Sequence, residues 1–137
     1  MQAKENLLGY SLESLESFFS KINEPKFRAK QLLKWIHQKG VLDFNLMTDL
    51  NKDLRAKLNS IAYIKPPIIH EEHISKEGTI KYLIALESGS MIEMVEIPEK
   101  NRRTLCVSSQ AGCALQCTFC ATGAQGFDQN LDSHEII

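Results

Sequence analysis

Thr104-Leu-Cys-Val-Ser-Ser-Gln-Ala-Gly-Cys113-Ala-Leu-Gln-Cys117-Thr-Phe-Cys120 holds all four cysteines of the chain. Its first five residues, Thr104 to Ser108, are nearly all apolar. That pattern predicts a short strand buried in a parallel sheet. Residues 109–130 are rich in Gly, Gln and Cys and read as one long loop, and loops of that length are usually functional. Leu131-Asp132-Ser133 then caps a helix that runs from Ser133 onward. A strand, a binding loop and a helix start make the first half of a βα unit.

The spacing of Cys113, Cys117 and Cys120 is C-x3-C-x2-C. Thiolates are soft ligands, suited to iron–sulfur clusters and to zinc. Three of them so close together can hold three corners of a 4Fe-4S cluster. The fourth iron then has no protein ligand, and an open metal position is where a substrate binds. Zinc would need a fourth ligand nearby, whereas His134 lies fourteen residues beyond Cys120, outside the usual spacing. The spacings are also too short for good disulfides.

Upstream of Thr104 the sequence changes texture at Lys65-Pro66-Pro67. From there, Ile68–Ile74, Thr79–Leu86 and Met91–Ile97 alternate as an antiparallel meander, with Glu87-Ser88-Gly89-Ser90 as a turn and 98–102 as a charged loop. The first 65 residues read as helical. Ser11 is a candidate N-cap for a helix whose apolar face is Leu12, Leu15, Phe18, Phe19 and Ile22. A second helix spans roughly 26–39 and carries Lys26, Arg28, Lys30, Lys34 and Lys39 without an acid. Its apolar face is Phe27, Leu32, Leu33 and Ile36, with Trp35 at the edge. A third runs from about Asn51 to Leu58. The expected fold class is α/β, with a helical accessory domain (1–65), a small antiparallel β connector (66–102) and the start of a partial (β/α) barrel (103–137).

Net charge over the 137 residues is −1, but it divides unevenly. Residues 1–65 carry eleven Lys/Arg against seven Asp/Glu, and residues 66–137 carry five against ten. Such asymmetry can mark a polyanion-binding module joined to another part, but on its own it favours ordinary surface charge. No stretch approaches the ~20 apolar residues of a membrane span, and the N-terminus lacks a signal peptide's apolar run. A cytoplasmic protein with reduced thiols is expected.

The motif Cys113-Ala-Leu-Gln-Cys-Thr-Phe-Cys120 is that of the radical S-adenosylmethionine (SAM) enzymes. Its flanks, from Thr104 to Phe127, resemble one branch, the dual-specificity RNA methyltransferases of RlmN type. Phe27-Arg-Ala-Lys-Gln-Leu-Leu-Lys-Trp-Ile-His37 and Met94-Val-Glu-Ile-Pro98 extend the resemblance over most of the chain. It implies methylation of adenine C2 in 23S rRNA and in tRNA, with a 4Fe-4S cluster and SAM as cofactors. It also implies an electron donor such as flavodoxin, a monomer, and no membrane partner.

The resemblance also suggests site residues. Cys106, otherwise an ordinary buried cysteine, would attack a second, methyl-carrying cysteine, and the disulfide formed would release methylated RNA. No such second cysteine is present in these residues, nor is a later Gly-Glu segment for SAM, so a front portion of a longer enzyme is expected. Alternation puts Glu93 on one strand face with Met91, Val95 and Ile97, and Glu96 on the other with Ile92 and Met94. A carboxylate among apolar neighbours takes up a proton readily, which suits a general base. The pattern does not choose between the two, and the resemblance favours Glu93. Phe119 would contact the SAM adenine, or pack as a loop aromatic. Two rivals stand: the related enzymes that methylate adenine C8, and a zinc-binding RNA module without catalysis. Anaerobic reconstitution should give a 4Fe-4S absorption spectrum that Cys117→Ala abolishes, and a spectrum that survives this change would refute the motif reading.

Overall fold

Ser11 opens the first helix, α1 (Leu12–Lys21), by accepting a hydrogen bond at its hydroxyl oxygen from the Ser14 N–H at 3.1 Å. Such a cap satisfies a donor that the helix start would otherwise leave unpaired. A computed structural model describes residues 3–112 and 127–137. These divide into two compact units, 1–66 and 67–136.

In the first unit, α1 turns Leu15, Phe18 and Phe19 inward, and Leu12 at its start is more than a third exposed. The second helix, α2 (Phe27–Leu33), passes into a π-helical turn, Lys34–Gln38, closed by Lys39 N–H on the Lys34 carbonyl at 3.1 Å. The wider turn shifts the buried face. Ala29, Leu32, Trp35 and Ile36 are all buried, whereas Phe27 is 54% exposed. Trp35 therefore belongs to the core rather than its edge, and Phe27 does not belong to it. The Lys39 ammonium sits 3.3 Å from the Trp35 ring centroid, a cation–π contact. A 3-10 turn, Phe44–Leu46, adds Phe44 to the core.

The third helix, α3 (Lys52–Ile61), starts where Asn51 Oδ1 accepts from the Leu54 N–H at 2.7 Å, and it buries Leu54 and Leu58. The strand pair β1 (Glu5–Asn6) and β2 (Ala62–Tyr63) runs parallel and joins the two ends of this unit. Tyr10 donates a short hydrogen bond to the Glu5 carboxylate, and this bond, with partial burial, pushes its phenol up to about 12.

The second unit is a four-stranded antiparallel sheet in sequential order: β3 (Ile68–Ile74), β4 (Ile80–Ala85), β5 (Met91–Pro98) and β6 (Arg103–Cys106). A second ribbon pairs β7 (Gln110–Gly112) with β8 (Phe127–Asn130), and α4 (Ser133–Ile136) follows. Ile84, Leu86, Ile92, Ala111 and Leu131 form its small apolar cluster.

The three meander strands lie where the alternation puts them. The strand at Thr104 departs from expectation. It pairs antiparallel with β5, and all four of its residues are exposed. As the edge of a sheet with no parallel neighbour among the described residues, it cannot be buried on both faces. The long loop is also shorter than read, because β7 and β8 pair its two ends.

Within the first unit, Phe19→Ala should cost about 3–5 kcal/mol of unfolding free energy and Asn51→Ala about 1 kcal/mol. Urea denaturation of the chain followed by tryptophan fluorescence measures both, since the one Trp lies in that core.

Candidate functional site

Antiparallel pairing aligns side chains in rows across a sheet, with alternate residues on opposite faces. The registers His73↔Lys81, Lys81↔Val95 and Val95↔Cys106 put four residues in one row on one face. The next row on that face is Glu71, Leu83 and Glu93. Glu93 and Cys106 are thus diagonal neighbours on adjacent strands, a relation that spans about 7–8 Å.

Both line one cavity of about 500 Å³, together with Lys81, Met91, Val95 and Gly112 among others. Ser108 ties the cavity wall together by donating from its hydroxyl to the Glu93 carbonyl oxygen at 2.8 Å. Gly112 has φ +75°, a left-handed conformation that glycine adopts without a Cβ penalty. Cys113 follows it directly in the sequence.

Cys106 is an exposed free thiol, so it is not a core cysteine. Glu93 is not enclosed by apolar side chains as its strand neighbours suggest. Its side chain is 56% exposed, and Oε1 lies 2.9 Å from the Lys81 ammonium. Sequence reasoning does not single out Lys81. A tight turn with Leu86 N–H on the Ser90 carbonyl sets the register that brings it beside the Glu93 row.

Glu96 faces the other way and has a different job. It pairs with Arg103 and accepts from the Tyr82 hydroxyl at 3.1 Å. The Arg103 guanidinium first, and then the Tyr82 hydroxyl, hold its carboxyl below the ordinary glutamate value of 4.5. Burial and this same bond push the Tyr82 phenol up. In the adjoining loop Glu99 is held low by Arg102. The alternation left Glu93 and Glu96 equivalent, and their partners separate them. Cys113, Cys117, Phe119 and Cys120 lie outside the described residues. Among the described residues no three metal-ligating side chains gather at one point.

A carboxyl held low contributes stability above 4.5 that is lost as pH falls through its folded value. Glu96→Gln should therefore unfold at lower urea than the parent at pH 7, and the gap should narrow as the pH is lowered below 4.5. A gap that does not change on acidification would count against an ionic role for Glu96.

Several known proteins are similar to this chain. Residues 5–64 match the family model of the ribosomal RNA large subunit methyltransferase N-terminal domain. Proteins named dual-specificity RNA methyltransferase RlmN from Pseudomonas putida and Pseudomonas fluorescens are 54% and 52% identical over 134 residues, which is 98% of this chain and 35% of theirs. A crystal structure of a radical SAM methyltransferase from Sphaerobacter thermophilus matches with a TM-score of 0.84 at 36% identity, over 96% of this chain and 39% of that one. The chain spans about a third of the length of the curated relatives it matches.

Proposed function

Since the chain belongs to the RlmN-type radical SAM methyltransferases, we propose that it serves methylation of C2 of an adenine in 23S rRNA, with tRNA as a second substrate. The observation that carries this reading is the placing of Glu93 and Cys106 on one sheet face in one cavity. A base and a thiol so placed can act in turn on one covalent adduct, the base on its ring proton and the thiol on its sulfur.

Cys113, Cys117 and Cys120 fit a 4Fe-4S cluster by donor chemistry, with three thiolates and one open iron. With SAM bound, that group supplies the radical that activates an otherwise unreactive ring carbon. Phe119 contacts the SAM adenine. The described part of the sheet does the acid–base and thiol work. Glu93 takes the C2 proton from the adduct in which a cysteine-borne methyl carbon has already joined that ring carbon. The Cys106 thiolate attacks the sulfur of a methyl-carrying cysteine that is bonded through its methyl carbon to the base. A disulfide forms, the carbon–sulfur bond breaks, and its electron pair with one proton completes the methyl group on the RNA. The four cysteines of this chain are spoken for by the cluster and Cys106, so that partner cysteine is none of these. Residues 103–137 contribute the opening strand, cluster loop and helix of the barrel, and an electron donor such as flavodoxin reduces the cluster. The enzyme works as a monomer in the cytoplasm.

RNA contact falls to the helical unit. Lys26, Lys30 and Lys34 are exposed at four-residue spacing, from the residue that precedes α2 to the turn that follows it. Like charges so spaced repel one another on a helix, and a row of phosphates relieves that repulsion. Arg28 is less available. It donates to the Gln31 side chain and to the Asp49 carbonyl oxygen, and it lies over the Phe27 ring.

In full-length enzyme that carries this chain, reconstituted anaerobically, Glu93→Gln should lose 2-methyladenosine formation. Cys106→Ala should stall with RNA covalently attached to protein. Mass spectrometry of digested RNA and denaturing gels read the two outcomes. Methyl at C8 would instead place the chain with the antibiotic-resistance relatives. Replacing Lys30 with Ala should lower RNA affinity at all sequences and reduce the slope of log affinity against log salt by about 1.

A further inference from the structure

We propose that Lys81 is a positioning residue for the proton transfer assigned to Glu93. This proposal rests on that assignment. The Lys81 ammonium holds Glu93 Oε1 at 2.9 Å, and both side chains line the cavity that contains Cys106.

The argument begins with exposure. The Glu93 side chain is 56% exposed and that of Lys81 is 50% exposed. A solvated glutamate samples several rotamers, only some of which present the carboxylate to the cavity. Lys81 belongs to the row of Val95 and Cys106, one row from Glu93 on the same face. Its ammonium therefore draws the carboxylate toward the row that carries the thiol. Because the contact is to Oε1, Oε2 of the same carboxylate remains to receive the proton from adenine C2. The electron pair of that C–H bond stays with the adenine ring of the adduct, and Glu93 becomes neutral.

An ion pair open to water is weak. A purine that covers the cavity displaces water and strengthens the pair when proton transfer takes place. Lys81 therefore acts through orientation. A neighbouring cation opposes protonation of a carboxylate, so added basicity is not its contribution. Glu96 shows the contrasting case, a glutamate locked by an arginine and a tyrosine on the far face and left out of the cavity.

The test uses full-length reconstituted enzyme and RNA whose target adenine carries hydrogen or deuterium at C2. Lys81→Met should slow methyl formation roughly tenfold to a hundredfold. It should also raise the hydrogen/deuterium rate ratio, because proton removal becomes the slower step. RNA affinity and cluster absorbance should match the parent, and Lys81→Arg should restore most of the rate. A parent-like rate and isotope ratio in Lys81→Met would overturn the proposal. So would a loss explained entirely by weaker RNA binding, which would make Lys81 an RNA contact. Glu93→Gln run in parallel separates the two readings. If it stays active, Glu93 is not the base and both fall. If it is inactive while Lys81→Met behaves as the parent, only the role of Lys81 falls.

Discussion

Antiparallel register is the constraint on which the site depends. One tight turn at 86–90 aligns Ala85 with Met91, and every pair along the two strands follows from it. The 98–103 connection then aligns Val95 with Cys106. A slip of one residue in either place would send Cys106 or Lys81 to the opposite face, because side chains alternate with a period of two. Glu99, held by Arg102 and Thr104 in that connection, helps to keep the second alignment. Surface charges that look incidental therefore help to preserve a register.

The same period divides labour between two glutamates three residues apart. Glu96 is committed to Arg103 and Tyr82 and supports the sheet. Glu93 faces the cavity, where the Lys81 ammonium lies beside its carboxylate. The strand at Thr104 is exposed and leaves the Cys106 thiol open to solvent.

The helical unit is organised differently. Its core is continuous from Leu7 to Ile64, and the capping residues Ser11 and Asn51 define where two of its helices begin. Trp35 and Ile36 are buried within the π-helical turn, and Lys26, Lys30 and Lys34 face solvent.

Much of this was legible in the amino-acid order. Capping side chains, three- and four-residue apolar spacing and strict alternation are local signals, and they marked the helices, the meander and the C-x3-C-x2-C motif. Family resemblance added Glu93 and Cys106. The rest required chains to meet. Nothing near Lys81 in sequence marks it as special, because its partner is twelve residues away and on another strand. Trp35 reads as an edge residue from its spacing, and it is buried because the rest of this unit packs against it. The Thr104 strand read as buried because its residues are apolar, although burial depends on what packs against a strand. Composition and spacing determined which elements form and which residues can do chemistry. Pairing register, a property of two strands at once, decided which of those residues stand together.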